Sequence, residues 1–370
     1  MPIKTAINGF GRIGRAAYKI AHNNDQIDIV AVNDLTNPRV LAHLLKYDTA
    51  YGVYDKEIYL EEDGKKVTLE EAAGDKDFFT KSGKENYLVV GGRKTKILSE
   101  KDPSILPWKE LQINVVLECT GRFTKDDTAK AHLEAGAEKV IVSAPTKGGD
   151  TKTFLKGVND EKISAEKIIS NASCTTNCVA PVISVINSNF GILKAGMTTI
   201  HAVTSTQNVV DGPPQPNKPD LRRARAACYN MIPTTTGAAI ATTEVIPDLE
   251  NIFDGIAVRV PVITGSLSDI TALIKKKTTV EEINNAFIKA EKKPIYKNVL
   301  KATYEPIVSS DIIKSKFSAI VDLSMTKVID GDLVKILAWY DNEWGYSHRL
   351  IDMAIVMSKT YDNTKISTLA

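Results

Sequence analysis

The sequence predicts an α/β protein: a parallel sheet covered by helices in the N-terminal part, then an α+β domain with a large mixed sheet. Three observations carry this. Strand and helix patterns alternate between Ile3 and Val142, as in a parallel sheet with helices on both faces. A glycine-rich turn, Gly9-Phe10-Gly11-Arg12-Ile13-Gly14, lies between the first strand pattern and the first helix pattern. From about Ala195 onward, long strand patterns dominate instead.

Taken in order, Ile3–Asn8 reads as a strand and Arg12–Asn23 as a helix. Ile27–Val32, rich in β-branched residues, is a second strand, and Pro38–Lys46 a second helix with proline in its first turn. Glu61–Lys84 is charged and contains glycine, and is expected to be a surface insertion. Strands follow at Tyr87–Val90, Lys94–Leu98, Val115–Leu117 and Val140–Val142, with a helix over Asp126–Ala135. Cys174–Asn189 and Val280–Glu291 have helical spacing. Met197–Val203, Ile256–Val262, Ser268–Ile274, Phe317–Leu323 and Leu333–Tyr340 read as strands. A last helix, from about Tyr346 to Lys359, is expected to return to the first domain. The expected division is a dinucleotide-binding domain over residues 1–172, completed by 343–370, and a catalytic domain over 173–342. Gln207–Arg225 is polar, with Pro213, Pro214, Pro216 and Pro219. A long loop of that kind inside a domain is usually functional.

Composition narrows the function classes. The 370 residues are 43% apolar and 25% charged, ordinary for a globular enzyme of two domains. A net charge of +2 gives no reason to expect nucleic acid as the main partner, and no apolar run reaches bilayer length. Met1-Pro2-Ile3-Lys4 runs directly into a strand pattern, so no secretory leader is expected. Four cysteines do not make a disulfide framework, and a reducing, cytoplasmic setting is expected.

The glycine turn fits a dinucleotide. Gly9 permits the tight turn, Gly11 lets a pyrophosphate approach, and Gly14 lets helix and strand pack closely. Asp34 ends the second strand twenty residues after Gly14. A carboxylate there accepts the ribose hydroxyls of an adenosine and repels a 2′-phosphate, so the expected cofactor is NAD in a Rossmann-type domain.

Cys174 lies in Ser173-Cys174-Thr175-Thr176-Asn177-Cys178, where a strand pattern gives way to a helix. Unpaired amides and partial positive charge at a helix start favour a thiolate, and such settings lower a cysteine from about 8.5 to roughly 3.5–7.5. Cys174 is therefore the expected nucleophile. His201, at the far end of a strand pattern, is the candidate base. Cys174 and Cys178 lack a second Cys or His cluster, so no metal site is expected. Arg259 interrupts an apolar strand, where a charge is costly unless it is paired or binds something. With Thr234-Thr235-Thr236-Gly237 it points to phosphate. Arg222 and Arg223 read as an exposed or interfacial basic turn.

Together these residues resemble the phosphorylating glyceraldehyde-3-phosphate dehydrogenases over nearly the whole chain. Asn8-Gly9-Phe10-Gly11-Arg12-Ile13-Gly14, Ser170-Asn171-Ala172-Ser173-Cys174-Thr175-Thr176-Asn177-Cys178 and Asp341-Asn342-Glu343-Trp344-Gly345-Tyr346-Ser347 match the family's signatures in order. The resemblance implies Cys174 as nucleophile, His201 as its activator, and NAD contacts from Arg12, Ile13, Asp34, Ser143 and Asn342. Lys101 stands where the family commonly has an arginine near the cofactor, and Val203 where an aromatic is frequent. Thr204 and Arg259 match the site for the substrate's own phosphate. Ser173, Thr175, Thr236, Gly237 and Arg225 match positions that engage the attacking phosphate. The proline loop corresponds to the family's subunit-contact loop, which implies a homotetramer. The implied reaction is NAD-dependent oxidation of glyceraldehyde 3-phosphate, with inorganic phosphate, to 1,3-bisphosphoglycerate through a cysteine thioester. Erythrose-4-phosphate dehydrogenase shares the cysteine motif and stays open at this point, as does a role mainly in binding RNA or another partner. The separate Thr236-Gly237 turn favours the phosphate-using enzyme.

Overall fold

The computed structural model describes residues 1–80, 82–215 and 219–367. Lys81, in the expected insertion, and Pro216, in the proline loop, lie outside the described residues. The chain divides into two compact units. One holds Met1–Lys152, Ile163–Asn171 and Leu350–Ala370; the other holds Thr153–Lys162 and Ala172–Arg349. Thr153–Lys162, drawn with the first domain from sequence, therefore belong with the second unit.

In the first unit, β1 (Ile3–Asn8), α1 (Arg12–His22), β2 (Ile27–Asn33) and α2 (Pro38–Lys46) follow the sequence pattern closely. Asn37 caps α2 by accepting from Arg39 N, and Pro38 occupies the first turn, where a missing N–H costs nothing. β1 lies between β2 and Val115–Glu118, parallel to both, and Lys139–Val142, Ile168–Ser170 and Arg93–Leu98 extend the parallel array. The strand order reverses at β1. A crevice therefore opens at its carboxyl end, where the glycine turn lies.

The region expected to be a surface insertion builds part of this sheet. Asn86–Val90, Ile58–Glu62 and Lys65–Thr68 add antiparallel strands beyond Arg93–Leu98. Asp63 and Gly64, at φ 48° and 78°, turn the last hairpin, where an Asp-Gly pair supplies the required left-handed backbone. Glu62 is buried and accepts a bidentate pair of bonds from Arg39 on α2 at 2.8 Å, and Arg39 also reaches Asp75 at 3.0 Å. The expected helix over Asp126–Ala135 starts late. Asp126 and Asp127 have positive φ, and regular turns run from Thr128 to Glu134.

The second unit is built on a seven-stranded mixed sheet. Its order is Ile232–Thr235, Phe253–Val260, Ile192–Ala202, Ser266–Ile274, Leu333–Tyr340, Ala319–Ile329 and Leu300–Thr303. The helix Cys174–Phe190 lies on this sheet, and Val182, Ile183 and Ile186 share one buried cluster with Ile270, Val321 and Ile336. That cluster fixes the helix, and the helix start fixes Cys174.

Candidate active site

The glycine turn has the steric character that the sequence pattern requires. Gly9 has φ +94°, and a Cβ there would lie 2.7 Å from Thr120 N. A Cβ on Gly14 would strike Gly9 O, whereas one on Gly11 would meet nothing within 4 Å. Gly9 and Gly14 are thus required by packing, and Gly11 leaves the space a pyrophosphate needs. Asp34 Oδ2 accepts from Phe10 N at 2.7 Å and Oδ1 from Thr36 N at 2.9 Å, so the carboxylate also braces the turn. Arg12, in the first turn of α1, is held by Asp48 at 2.7 Å and lies over the Tyr51 ring. Ile13 and Ser143 are half-buried and Lys101 is exposed. Ser143 N donates to Glu118 O, which fixes it just past the end of Lys139–Val142. These groups suit a dinucleotide: the glycines make the cradle, the start of α1 suits a phosphate, and Asp34 suits the hydroxyls of a ribose.

In the second unit the backbone approaches Cys174 under strain. Ala172 is fully buried at φ 49°, and its carbonyl accepts from Tyr346 Oη at 2.9 Å. Ser173 caps the helix by accepting from Thr176 N at 3.1 Å, which makes Cys174 its first residue. His201 is near the end of Ile192–Ala202, the third of the seven strands, in register with Arg259 on the neighbouring parallel strand. The two elements bring Cys174 Sγ and His201 Nε2 to 3.4 Å. The pairing that spacing alone left open is present.

His201 is 3% exposed. Its Nδ1 lies 2.7 Å from Ala202 O and also meets Arg259 Nη1, which donates to the same carbonyl at 3.0 Å. Arg259 Nε is buried without a hydrogen-bond partner. Arg223 stands close by. It is 13% exposed and donates to Thr234 Oγ1 at 3.0 Å and to Thr206 Oγ1 at 3.2 Å, with the Asp220 carboxylate 3.5 Å from its Nε. Thr206 Oγ1 in turn contacts Thr204 Oγ1 at 2.9 Å. Two guanidinium groups and several threonine hydroxyls thus converge near the catalytic pair, as an anion site requires.

The sequence reading of the arginines needs correction here. Arg225 is 62% exposed and paired with Asp211 at 2.8 Å, so it faces solvent. Arg223, read as part of an exposed turn, is the inward-facing one. Three arginines within four residues of an irregular turn carry no periodicity to separate them.

The expected lowering of the Cys174 thiol is also not met. Burial pushes the thiol up, outweighing the Arg259 charge and the hydrogen bonds from Thr175. A helix terminus contributes about 0.3–2 kcal/mol, whereas full burial shifts a group by as much as about 3–5 pKa units. Burial, and then the Arg259 charge, pushes His201 down to about 3. Cys119 and Cys178 are raised by burial as well, Cys119 to about 12, and Cys228 is exposed.

The remaining predicted residues fall into two groups. Asn342 is 4% exposed, and its Oδ1 accepts from Gly265 N at 3.1 Å and Ser266 Oγ at 2.9 Å, which leaves its amide nitrogen to donate. Thr236 Oγ1 accepts from Ala238 N, and Gly237 is open to solvent at the start of helix Ala238–Val245. Thr175 Oγ1 instead contacts Tyr340 Oη at 3.0 Å inside the core. Tyr340 is a neighbour of the Cys174–His201 pair that sequence reasoning missed. It is 1% exposed, and its ring meets that of His201. Its only sequence signal was an aromatic closing a strand pattern just before Asp341-Asn342. Among the described residues, no group of three His, Cys, Asp or Glu side chains could hold a metal ion.

Comparison with known proteins settles what this arrangement belongs to. The family profile described as "Glyceraldehyde 3-phosphate dehydrogenase, C-terminal domain" matches residues 173–342. The profile described as "Glyceraldehyde 3-phosphate dehydrogenase, NAD binding domain" matches residues 3–77 and 76–126. The chain belongs to the glyceraldehyde-3-phosphate dehydrogenase family. It is 46% identical over 356 residues to glyceraldehyde-3-phosphate dehydrogenase of Geobacillus stearothermophilus, covering 96% of this chain and 98% of that one. It is 46% identical to glyceraldehyde-3-phosphate dehydrogenase 2 of Bacillus subtilis (strain 168), over 95% and 96% of the two chains. The corresponding Borreliella burgdorferi enzyme is 47% identical, over 95% and 98%. The chain is thus an α/β oxidoreductase of this family with a Rossmann NAD-binding domain, and NAD is its cofactor.

Proposed function

We propose that the chain catalyses NAD-dependent oxidative phosphorylation of glyceraldehyde 3-phosphate to 1,3-bisphosphoglycerate, with Cys174 and His201 as the reacting pair. The observation that carries this is the 3.4 Å approach of Cys174 Sγ to His201 Nε2 at a capped helix start, beside the guanidinium of Arg259. The sulfur adds to the aldehyde carbon as the thiol proton passes to the imidazole and from there to the carbonyl oxygen, which becomes a hydroxyl. His201 then takes the hydroxyl proton as the carbon loses hydride, leaving a thioester on Cys174. When bound, NAD supplies the hydride acceptor for this oxidation. A phosphate oxygen then attacks the thioester carbonyl, the C–S bond breaks to release the acyl phosphate, and the sulfur regains the proton held on His201, which restores the thiol and the neutral imidazole. The covalent intermediate divides one difficult step into two easier ones.

In this reading Arg259 and Thr204 hold the substrate's phosphate. Arg223, Ser173, Thr236 and Gly237 serve the attacking phosphate, with Arg223 in the place assigned to Arg225 from sequence. Gly9, Gly11, Gly14, Arg12, Ile13, Asp34, Lys101 and Ser143 would hold NAD, and the Asn342 amide would donate to its carboxamide. A second anion site favours phosphorolysis over hydrolysis, and the relatives are named for glyceraldehyde 3-phosphate rather than erythrose 4-phosphate. A homotetramer is supported by large apolar side chains exposed along the proline loop and the turn after it: Val209, Val210, Leu221, Tyr229 and Met231. No helix among the described residues is long and apolar enough to cross a membrane, and a cytoplasmic setting fits the absence of a disulfide framework.

The test is absorbance at the reduced-nicotinamide band with glyceraldehyde 3-phosphate and NAD. A stoichiometric burst without phosphate, becoming steady turnover with it, is expected. Turnover that ignores phosphate would mean the thioester is hydrolysed instead.

A further inference from the structure

Asn33, Asn8 and Glu118 are the last residues of three adjacent parallel strands, β2, β1 and Val115–Glu118, and they stand in register. All three are buried, and their side chains form one row across the strand ends. Asn33 Nδ2 donates to Asn8 Oδ1 at 2.7 Å, and Asn8 Nδ2 donates to Glu118 Oε2 at 2.6 Å. At one end of the row, Asn33 Oδ1 accepts from Glu100 N and Asn33 Nδ2 donates to Glu100 O, both at 2.8 Å. At the other end is His132, fully buried, with its Nε2 2.9 Å from Glu118 Oε2. Trp108 Nε1 donates to His132 Nδ1 at 3.0 Å. An indole N–H only donates, so Nδ1 accepts and the imidazole proton is on Nε2, facing the carboxylate. The Trp108 and Glu100 N–H groups thus fix the direction of the bonds between them.

We infer that His132 and Glu118 are positioning residues for the cofactor, holding the strand ends at the spacing that lets one dinucleotide meet the glycine turn and Asp34 together. The inference rests on the reading of those two elements as the pyrophosphate and ribose contacts, and extends it to the groups behind them. Its support is what adjoins each member of the row. Asn8 is followed by Gly9, Asn33 by Asp34 and Glu100 by Lys101. Glu118 O accepts from Ser143 N at 2.9 Å. Glu118 Oε1 accepts from Thr120 N at 2.8 Å, the same amide that leaves no room for a Cβ on Gly9. The row therefore runs directly behind the residues assigned to NAD, and His132, being fully buried, acts through them. The backbone supplies a separate tie. Gly9 N donates to Asn33 O at 2.8 Å and Cys119 N to Asn8 O at 2.7 Å, whatever the side chains do. Removing a member of the row leaves a buried polar group unpaired and loosens the spacing, while the sheet itself stays paired.

Binding of ADP-ribose and of adenosine, each measured by isothermal titration calorimetry, separates positioning from general stability. ADP-ribose has to meet the glycine turn and Asp34 at once, whereas adenosine brings only the ribose to Asp34. His132→Phe keeps an aromatic ring beside Trp108 and Phe123 but removes both hydrogen bonds. Glu118→Gln keeps the volume but places an NH2 among donors, and it decides the question if His132→Phe does not fold. Each variant should weaken ADP-ribose about tenfold, the scale of one buried polar group left unpaired. Adenosine should change less than twofold. An unchanged affinity for ADP-ribose, or equal losses for both ligands, would overturn the positioning role and leave the row a matter of stability alone. The underlying reading is tested by Asp34→Ala. ADP-ribose binding that ignores this substitution removes the contact assignment itself, whereas binding that depends on Asp34 but ignores both row variants removes only the positioning role.

Discussion

Tyr340 and His201 meet edge to face, with ring centroids 5.9 Å apart and planes at 77°. The phenol oxygen contacts Thr199 Oγ1 at 2.7 Å and Thr175 Oγ1 at 3.0 Å. One buried side chain therefore joins the His201 strand, the residue after the nucleophile and the last strand before Asn342. Tyr340→Phe keeps the ring against the imidazole but leaves two threonine hydroxyls short of a partner. Unpaired buried polar groups cost about 1–3 kcal/mol, so the denaturation midpoint should fall accordingly while turnover falls less than on loss of His201. An unchanged midpoint would show that the hydroxyl network carries no stability.

His201→Asn should lower turnover by roughly 10²–10⁴, the usual range for a lost acid–base group. Alkylation of Cys174 should slow as well, whereas that of exposed Cys228 should not, so Cys228 serves as the internal standard. Mass mapping that shows the two sites slowing together, or turnover at the wild-type level, would make His201 a core residue.

Burial of the same histidine sets an acid limit on stability. Its folded pKa is pushed down to about 3 from an ordinary 6.5. Above pH 6.5 neither state binds the proton. Below it the unfolded chain does and the folded one does not, so stability is lost as pH falls from 6.5 toward 3. At pH 5 this one site costs about 2 kcal/mol relative to pH 7. His348, lowered by burial to about 4, acts with the same sign. Denaturant titrations at the two pH values should show the loss in the wild type and a smaller one in His201→Asn. Equal losses would place the acid sensitivity elsewhere.

The architecture and the chemistry were legible in the sequence to different depths. Repeating apolar patterns gave β1, α1 and α2 nearly residue by residue, because each buries one periodic face. Asp34 was legible because its distance from Gly14 is set by the length of a βαβ unit. The hairpin at Asp63-Gly64 had a readable signal that the high charge of the surrounding residues masked. Arg39 explains how that charge is tolerated, since it neutralises a buried Glu62 from another element, which no local pattern records. The state of Cys174 was misjudged for a related reason. A helix start is visible in sequence, but the depth at which it is buried is a property of the packed unit.

The choice between neighbouring arginines gives a direct comparison. Arg223→Ala removes donors to Thr206 and Thr234 beside the catalytic pair, whereas Arg225→Ala breaks only an exposed pair with Asp211. Exposed pairs are worth about 0–1 kcal/mol, and charge-assisted bonds about 1.5–3. Arg223→Ala should therefore reduce kcat/KM for inorganic phosphate by roughly tenfold or more, with Arg225→Ala close to wild type. The reverse order would return the anion site to the residue chosen from sequence.

Cofactor choice depends on Asp34. Its two oxygens already accept from Phe10 N and Thr36 N, and each has a further lone pair for a ribose hydroxyl. A 2′-phosphate would bring a second anion against a carboxylate that the fold holds in place. Leu35 beside it is exposed and offers no cation to offset the repulsion. The wild type should therefore strongly prefer NAD over NADP. Asp34→Ala removes the repulsion and a brace of the glycine turn together. The variant should show a higher KM for NAD and a smaller preference, without gaining efficient use of NADP. Measuring kcat/KM with each cofactor for both proteins checks this. If the wild type uses NADP comparably, or the ratio survives the substitution, discrimination lies in another residue.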